Sequence, residues 1–269
     1  MDANLVAAQL FSGLTSAMTL FLVASGLSLI FGVVNVFNFA HGSFYLLGAY
    51  FAYQVISVTG LPFWPGVLLA AVGAGIAGVV MEYVFLRRIY GRGGEAGFQI
   101  LLTYSFILII DDVVKMIWGT DYKSIERPES LSAPFTLGDI SVPRYDLVVI
   151  LVGILVAAGM WWIIRKTRFG RNLRAISANR EMASCLGVNV PLTLSLVFGL
   201  ATALGGLFGA LSAPTRTVTP GAEIEVIIGE VTAFGILFLP QWAILFSYAV
   251  MALVLVFRPE GLLARKGSA

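Results

Sequence analysis

The chain is predicted to be all-α, a polytopic transmembrane helical bundle of about seven spans. Three observations carry that prediction. Mean hydropathy is +0.91, and only 12% of the 269 residues are charged, about half the share usual in a soluble domain. Apolar runs of about twenty residues recur, each long enough to cross roughly 30 Å of hydrocarbon as a helix. The runs are continuous rather than alternating, which excludes a membrane β-barrel.

In chain order, the runs place spans at 5–34, 44–60, 61–86, 98–118, 145–164, 192–213 and 231–257. Residues 1 to 86 hold no Lys or Arg. A cleavable signal peptide needs a basic leading region, so the first run reads as a retained span. The second and third runs are parted only by a tight turn near Gly60, Pro62 and Pro65. The polar segment 119–144 reads as an extramembrane loop. The segment 214–230, with Pro214, Pro220, Gly221, Glu223, Glu225 and Glu230, reads either as a loop or as a partly embedded stretch. The whole chain, 1–269, reads as one transmembrane domain.

Orientation follows from Lys and Arg near the span ends. Twelve of the seventeen fall on one side: Arg87, Arg88, Arg92, six between 165 and 180, Arg258, Arg265 and Lys266. Five fall on the other: Lys115, Lys123, Arg127, Arg144 and Arg216. The richer side is expected to be cytoplasmic, which puts the N-terminus outside and the C-terminus inside. Ala74/Gly78 and Gly205/Gly209 are small-residue pairs at spacing four, which let helix backbones approach closely in lipid.

The usual chemical motifs are missing. The sequence contains no phosphate-binding G-x-x-x-x-G-K-[ST] loop and no H-E-x-x-H, C-x-x-C or G-x-S-x-G. Neither an enzyme nor a metal site of ordinary spacing is expected. One cysteine, Cys185, excludes an internal disulfide and reads as a small apolar helix residue. Asp111, Asp112 and Lys115 read as a self-satisfied cluster near the outer end of a span. Glu82 is expected near headgroup depth, within reach of Arg87 and Arg88.

Two stretches stand out. In 34–50, Asn35, Asn38 and His41 recur every three residues among Phe37, Phe39 and Phe44, followed by Gly42 and Ser43. This polar interruption reads either as a capped turn at the cytoplasmic surface or as part of a translocation path, because irregular backbone at membrane depth marks cavities in transporters. The second stretch, 165–190, carries Arg165, Lys166, Arg168, Arg171, Arg174 and Arg180. Asn179 is a plausible N-cap, Glu181 sits in the first turn, and Gly187 is a plausible C-cap. It reads as one or two short basic helices offered to a soluble partner.

Four segments resemble permease subunits of branched-chain amino acid ABC importers. They are GLSLIFGVVNVFNFAHGSFYLLGAY (26–50), GRNLRAISANREMASCLGVNV (170–190), FGLATALGGLFGALSAP (198–214) and VLVFRPEGLL (254–263). The first is closer to the LivH-type subunit than to its LivM-type partner. The resemblance is collinear over nearly the whole chain.

It implies a binding-protein-dependent importer of leucine, isoleucine, valine or related small amino acids, multi-pass in a bacterial or archaeal plasma membrane. The implied partners are a second, LivM-type permease, two cytoplasmic ABC ATPases that hydrolyse the ATP, a periplasmic or lipid-anchored solute-binding protein, and membrane lipid. Neither nucleic acid nor a cofactor on this chain is expected. Residues 165–190 would form the coupling loop, with Arg171, Arg174, Asn179, Arg180, Glu181, Ala183, Leu186 and Gly187 at the ATPase. Leu173, Ile176, Ala183 and Leu186 would share its apolar stripe. Asn35, Asn38, His41, Gly42 and Ser43 would be candidates for the path.

Compared with the family pattern, about twenty-five residues are missing after residue 227. Two other readings stay open: a permease for urea or a short amide, or an ion-coupled secondary transporter using Glu82 or Asp111/Asp112.

Overall fold

The computed structural model describes residues 3–34, 38–88, 96–137 and 140–221. Nine α-helices lie within them: α1 Ala3–Val34, α2 His41–Tyr53, α3 Phe63–Val84, α4 Ala96–Trp118, α5 Glu129–Ser132, α6 Arg144–Lys166, α7 Arg168–Ala178, α8 Arg180–Cys185 and α9 Val190–Ser212. A π-helical turn, Gln54–Val58, extends α2, and a 3-10 turn, Leu86–Arg88, extends α3. The fold is the expected helical bundle, and six of the seven predicted spans coincide with helices. By length and composition, Phe63–Arg88, Arg144–Lys166 and Val190–Ser212 can cross a membrane, and Phe21–Val33 is a shorter apolar helix. The predicted span 231–257 and the site of the missing residues lie outside the described residues.

Between α4 and α6, the expected loop contains α5 and a two-stranded hairpin, β1 Pro134–Leu137 and β2 Ile140–Pro143. The strands pair antiparallel with Phe135 opposite Val142. Alternation over so few residues lies below what sequence periodicity resolves.

α9 is the axis of the bundle, packed against α3, α2 and α1. Glycine makes this possible. A Cβ on Gly209 would land on the Tyr45 carbonyl, one on Gly48 on the Gly206 backbone, and one on Gly78 on Thr202. Gly206 in turn receives the Ala74 methyl. Backbones this close maximise dispersion contacts where apolar burial supplies no drive, because lipid is as apolar as the protein. The small-residue pairs read from the sequence therefore knit α2 and α3 to α9.

The helices alternate in direction between two ends. At one end, Tyr145 at the start of α6 donates from its hydroxyl to the Leu211 carbonyl of α9 at 2.5 Å. There too Trp118 of α4 donates to Gln54 after α2 at 2.8 Å. Lys123 and Val218 exchange backbone hydrogen bonds at 3.0 and 2.9 Å. At the other end, the carboxyl ends of α1, α3 and α6 meet the amino end of α9 and all of α7 and α8. Arg87, Arg88, Arg165, Lys166, Arg168, Arg171, Arg174 and Arg180 gather at this end, the segregation that the charge count predicts.

Candidate functional site

The segment 167–189 at the basic end is two short helices with every terminus capped. Thr167 opens α7, its hydroxyl accepting from the Gly170 amide at 3.1 Å. Asn179 has extended backbone (φ −161°, ψ 111°), which ends α7, and its side chain accepts from the Met182 amide at 2.9 Å, which starts α8. Gly187 adopts φ +83°, a left-handed conformation that suits glycine. The Gly187 amide donates to the Ser184 carbonyl at 3.0 Å and the Val188 amide to the Ala183 carbonyl at 3.1 Å. That pair of bonds is a Schellman closure. Asn189 then caps α9, accepting from the Leu192 amide at 3.1 Å. Both caps read from the sequence, Asn179 and Gly187, have the expected geometry.

The break at Asn179 corrects the proposed apolar stripe. Leu173, Ile176 and Ala183 are buried against the chain's own helices, Ala183 at 2% exposure. Leu186 is 76% exposed and Met182 59%, so the stripe does not run as one face. A change of direction between α7 and α8 puts three of its members inside and leaves Met182 and Leu186, one helical turn apart, outside. Arg171, Glu181, Gly187 and Cys185 are also exposed, so Cys185 is not a buried core residue. Arg174 and Arg180 turn back onto the bundle. The Arg174 guanidinium donates to the Ile164 carbonyl near the end of α6. Arg180 donates to the Val33 carbonyl at 3.1 Å, and Ser177 donates to the Gly32 carbonyl at 3.0 Å. The Ile164 carbonyl belongs to the last turn of α6, where the helix supplies few amide partners, and Gly32 and Val33 lie close to the last described residue of α1.

The polar interruption is not at the surface. His41 opens α2 and is fully buried between α1 and α9. Its Nε2 lies 3.2 Å from the Val23 carbonyl. A carbonyl can only accept, so Nε2 is the donor in this contact. A Cβ on Gly26 would come within 2.9 Å of the ring, and one on Gly205 within 3.6 Å. Val23 lies eleven residues before the end of α1 at Val34, which at 1.5 Å per residue is about 16 Å from the basic end. Helix α2 therefore starts inside the bundle rather than at its basic end, which corrects the surface location of the turn, while the capping Asn and the hydrogen-bonded His of that reading are present.

Asn38 and Ser43 are each 1% exposed, and Gly42 is buried with them. The Asn38 carbonyl side-chain oxygen accepts from the Ala40 amide at 3.2 Å. Asn38 Nδ2, His41 Nδ1 and Ser43 Oγ are buried with no hydrogen-bond partner among the described residues. Three unpaired polar atoms in one short turn are unusual, since buried polar atoms are nearly always satisfied. Asn35 lies outside the described residues.

Two acidic sites were also singled out in the sequence. Glu82 is fully buried at the α3–α9 contact, where it accepts from the Ser195 hydroxyl. Arg87, a few residues on, lies over the Tyr83 ring, 5.2 Å from its centroid. Lys115 pairs with Asp111 one turn earlier, as its spacing predicts. Sequence reasoning missed Ser177 and Ser195, because a lone serine in a helix carries no signal of its partner.

Comparison with known proteins now adds identity to geometry. The family model described as branched-chain amino acid transport system / permease component matches residues 9–263. The permease protein BraD of the high-affinity branched-chain amino acid transport system of Pseudomonas aeruginosa is 28% identical over 296 aligned positions, covering 96% of this chain and 95% of that protein. The corresponding LivH of Escherichia coli K12 is 26% identical over 298, again covering 96% and 95%. The probable LivH of Methanocaldococcus jannaschii is 29% identical over 217, covering 78% of this chain and 67% of that protein. The first two alignments are longer than this chain's 269 residues, so those relatives carry residues that this chain lacks. No solved structure matches. The chain belongs to the permease-component family of branched-chain amino acid transport systems.

Proposed function

We propose that this chain is the LivH-type permease subunit of a binding-protein-dependent ABC importer for leucine, isoleucine, valine or a related small amino acid. It is a transport component, not an enzyme. A second, LivM-type permease completes the pore in the plasma membrane, two cytoplasmic ATPases hydrolyse the ATP, and a solute-binding protein delivers the substrate. The observation that carries the coupling part is α8, a helix capped at both ends that turns Met182 and Leu186 outward at the basic end of the bundle. An exposed apolar pair on a rigid support, with the exposed Glu181 next to Met182 in the chain, suits an apolar groove on a soluble partner.

Within 165–190 the residues divide the work. Met182 and Leu186 enter the groove. Asn179 and Gly187 fix the shape of α8, Ala183 seats it, and Arg174 and Arg180 hold the element to the bundle. Asn38, His41, Gly42 and Ser43 line the part of the path that changes during transport, and Asn35, which lies outside the described residues, is assigned to it by sequence alone. The unpaired polar atoms of Asn38, His41 and Ser43 inside the bundle support this role. The residues absent relative to the family fall after 227.

The test is co-purification of this chain with the second permease, both ATPases and the binding protein, followed by leucine-stimulated ATP hydrolysis in liposomes. Stimulated hydrolysis supports the reading. Assembly without stimulation by leucine, isoleucine or valine removes the substrate assignment, and failure to bind any ATPase removes the importer assignment.

A further inference from the structure

We infer that Ser177 and Arg180 form a clasp through which α7–α8 drives α1 and, by way of α1, the buried turn at His41. The inference rests on the importer reading and goes beyond it, because it names the link between the ATPase-facing element and the path. The Ser177 hydroxyl donates to the Gly32 carbonyl at 3.0 Å and Arg180 Nη2 to the Val33 carbonyl at 3.1 Å. Both acceptors lie close to Val34, the last described residue of α1. A charged donor on such a carbonyl is among the stronger hydrogen bonds and is favoured by the helix dipole.

The same helix meets the turn higher up. Val23 accepts from His41, and Gly26 makes room for the imidazole ring. Gly26 also faces the Ala201 carbonyl of α9, which a Cβ at 26 would approach to 2.7 Å. One rigid helix thus has its end held by the basic element and its middle seated against the polar turn. A packed helix transmits a push or twist along its length. The turn has a reason to have two arrangements, since three of its buried polar atoms find no partner among the described residues in this one. Arg180 and Ser177 are therefore positioning residues: they act through α1.

The experiment uses the complete importer in liposomes, with Cys185→Ser as background. Ser177→Cys and Gly32→Cys are combined so that a short bismaleimide can replace the clasp. A side chain at 32 meets nothing within 4 Å. Arg180→Gln is expected to leave assembly and ATP hydrolysis in place while leucine moved per ATP falls on the order of tenfold, within the usual range of coupling energies. Arg180→Lys should retain a good part of the coupling, and cross-linking 32 to 177 should restore it in Arg180→Gln. A merely structural role would not be rescued in this way.

Wild-type stoichiometry in Arg180→Gln, or loss of transport on cross-linking the otherwise unmodified chain, overturns the inference. So does loss of ATPase binding in Arg180→Gln, which would make Arg180 part of the docking surface. If the unmodified complex hydrolyses ATP but moves no leucine, the substrate reading is the one at fault. The clasp is then read from ATP-dependent thiol labelling of Ser43→Cys, with the same pattern of loss and rescue expected. If no ATPase assembles with the unmodified chain, both readings fall together.

Discussion

The α7–α8 element and the turn at 38–43 are both polar interruptions in an apolar chain, yet they are built in opposite ways. In the first, each helix end is closed: Thr167, Asn179, Gly187 and Asn189 satisfy amides or carbonyls within one or two turns. In the second, polar atoms of Asn38, His41 and Ser43 are buried without partners among the described residues. A capped element holds one shape and can present a surface. A buried turn with unpaired groups is held by its surroundings, at a penalty of about 1–3 kcal/mol for each unsatisfied group. On the proposed reading, the capped element docks and the buried turn moves. Between them stands the glycine-knit contact of α9 with α2 and α3, which gives both a fixed reference.

The largest effect is expected where that reference is broken. Gly209→Val would drive two methyl groups into the Tyr45 carbonyl, with the Ala49 amide at 2.9 Å from its Cβ. It should lower stability by about 3 kcal/mol or more, as overpacking against backbone does. Loss of the cooperative unfolding transition in detergent would show it, and an unchanged transition would deny that α2 and α9 touch here.

Next comes a paired test within α8. Ala183→Asp places a charge at a site 2% exposed and should unseat the helix, opening the segment to trypsin. Leu186→Asp, at a site 76% exposed, should leave stability within about 0.5 kcal/mol of the parent while abolishing ATPase binding. Equal behaviour of the two variants would erase the distinction between the inner and outer faces of α8.

Smaller effects refine the contrast. Asn179→Ala should destabilise the start of α8 by about 1 kcal/mol, the usual loss for an N-cap, measured as faster amide exchange at Met182. Smallest of all is Ser43→Ala. It removes a buried hydroxyl that has no partner, so stability should stay level or rise by up to about 1 kcal/mol. Thermal unfolding checks this, and a marked loss of stability would mean that the turn is satisfied rather than strained.

Much of this was legible in the sequence because it is local. Asn179 and Gly187 announce their caps by residue type and spacing, and Lys115 announces Asp111 by a helical turn. The apolar runs locate six helices to within a few residues. What sequence could not show is long-range. Nothing local says that Asn179 turns the chain sharply enough to send Ala183 inward and Leu186 outward. Nor does spacing tell that Arg174 and Arg180 serve the ends of α6 and α1 rather than a partner. The depth of His41 depends on where α1 and α9 pack, which glycine at 26 and 205 permits but does not dictate. Glu82 looked superficial because three arginine residues follow it, yet Ser195, far along the chain, holds it inside.

The most direct test of the account is site-by-site cross-linking between α8 and its ATPase. In a Cys185→Ser background, single cysteines replace Met182, Ala183 and Leu186 in the assembled complex, and each is treated with a short cross-linker. The account expects positions 182 and 186 to join the ATPase and position 183 to stay unreacted. Cross-linking through 183 as efficient as through 186, or none at all from 182 and 186, would contradict it.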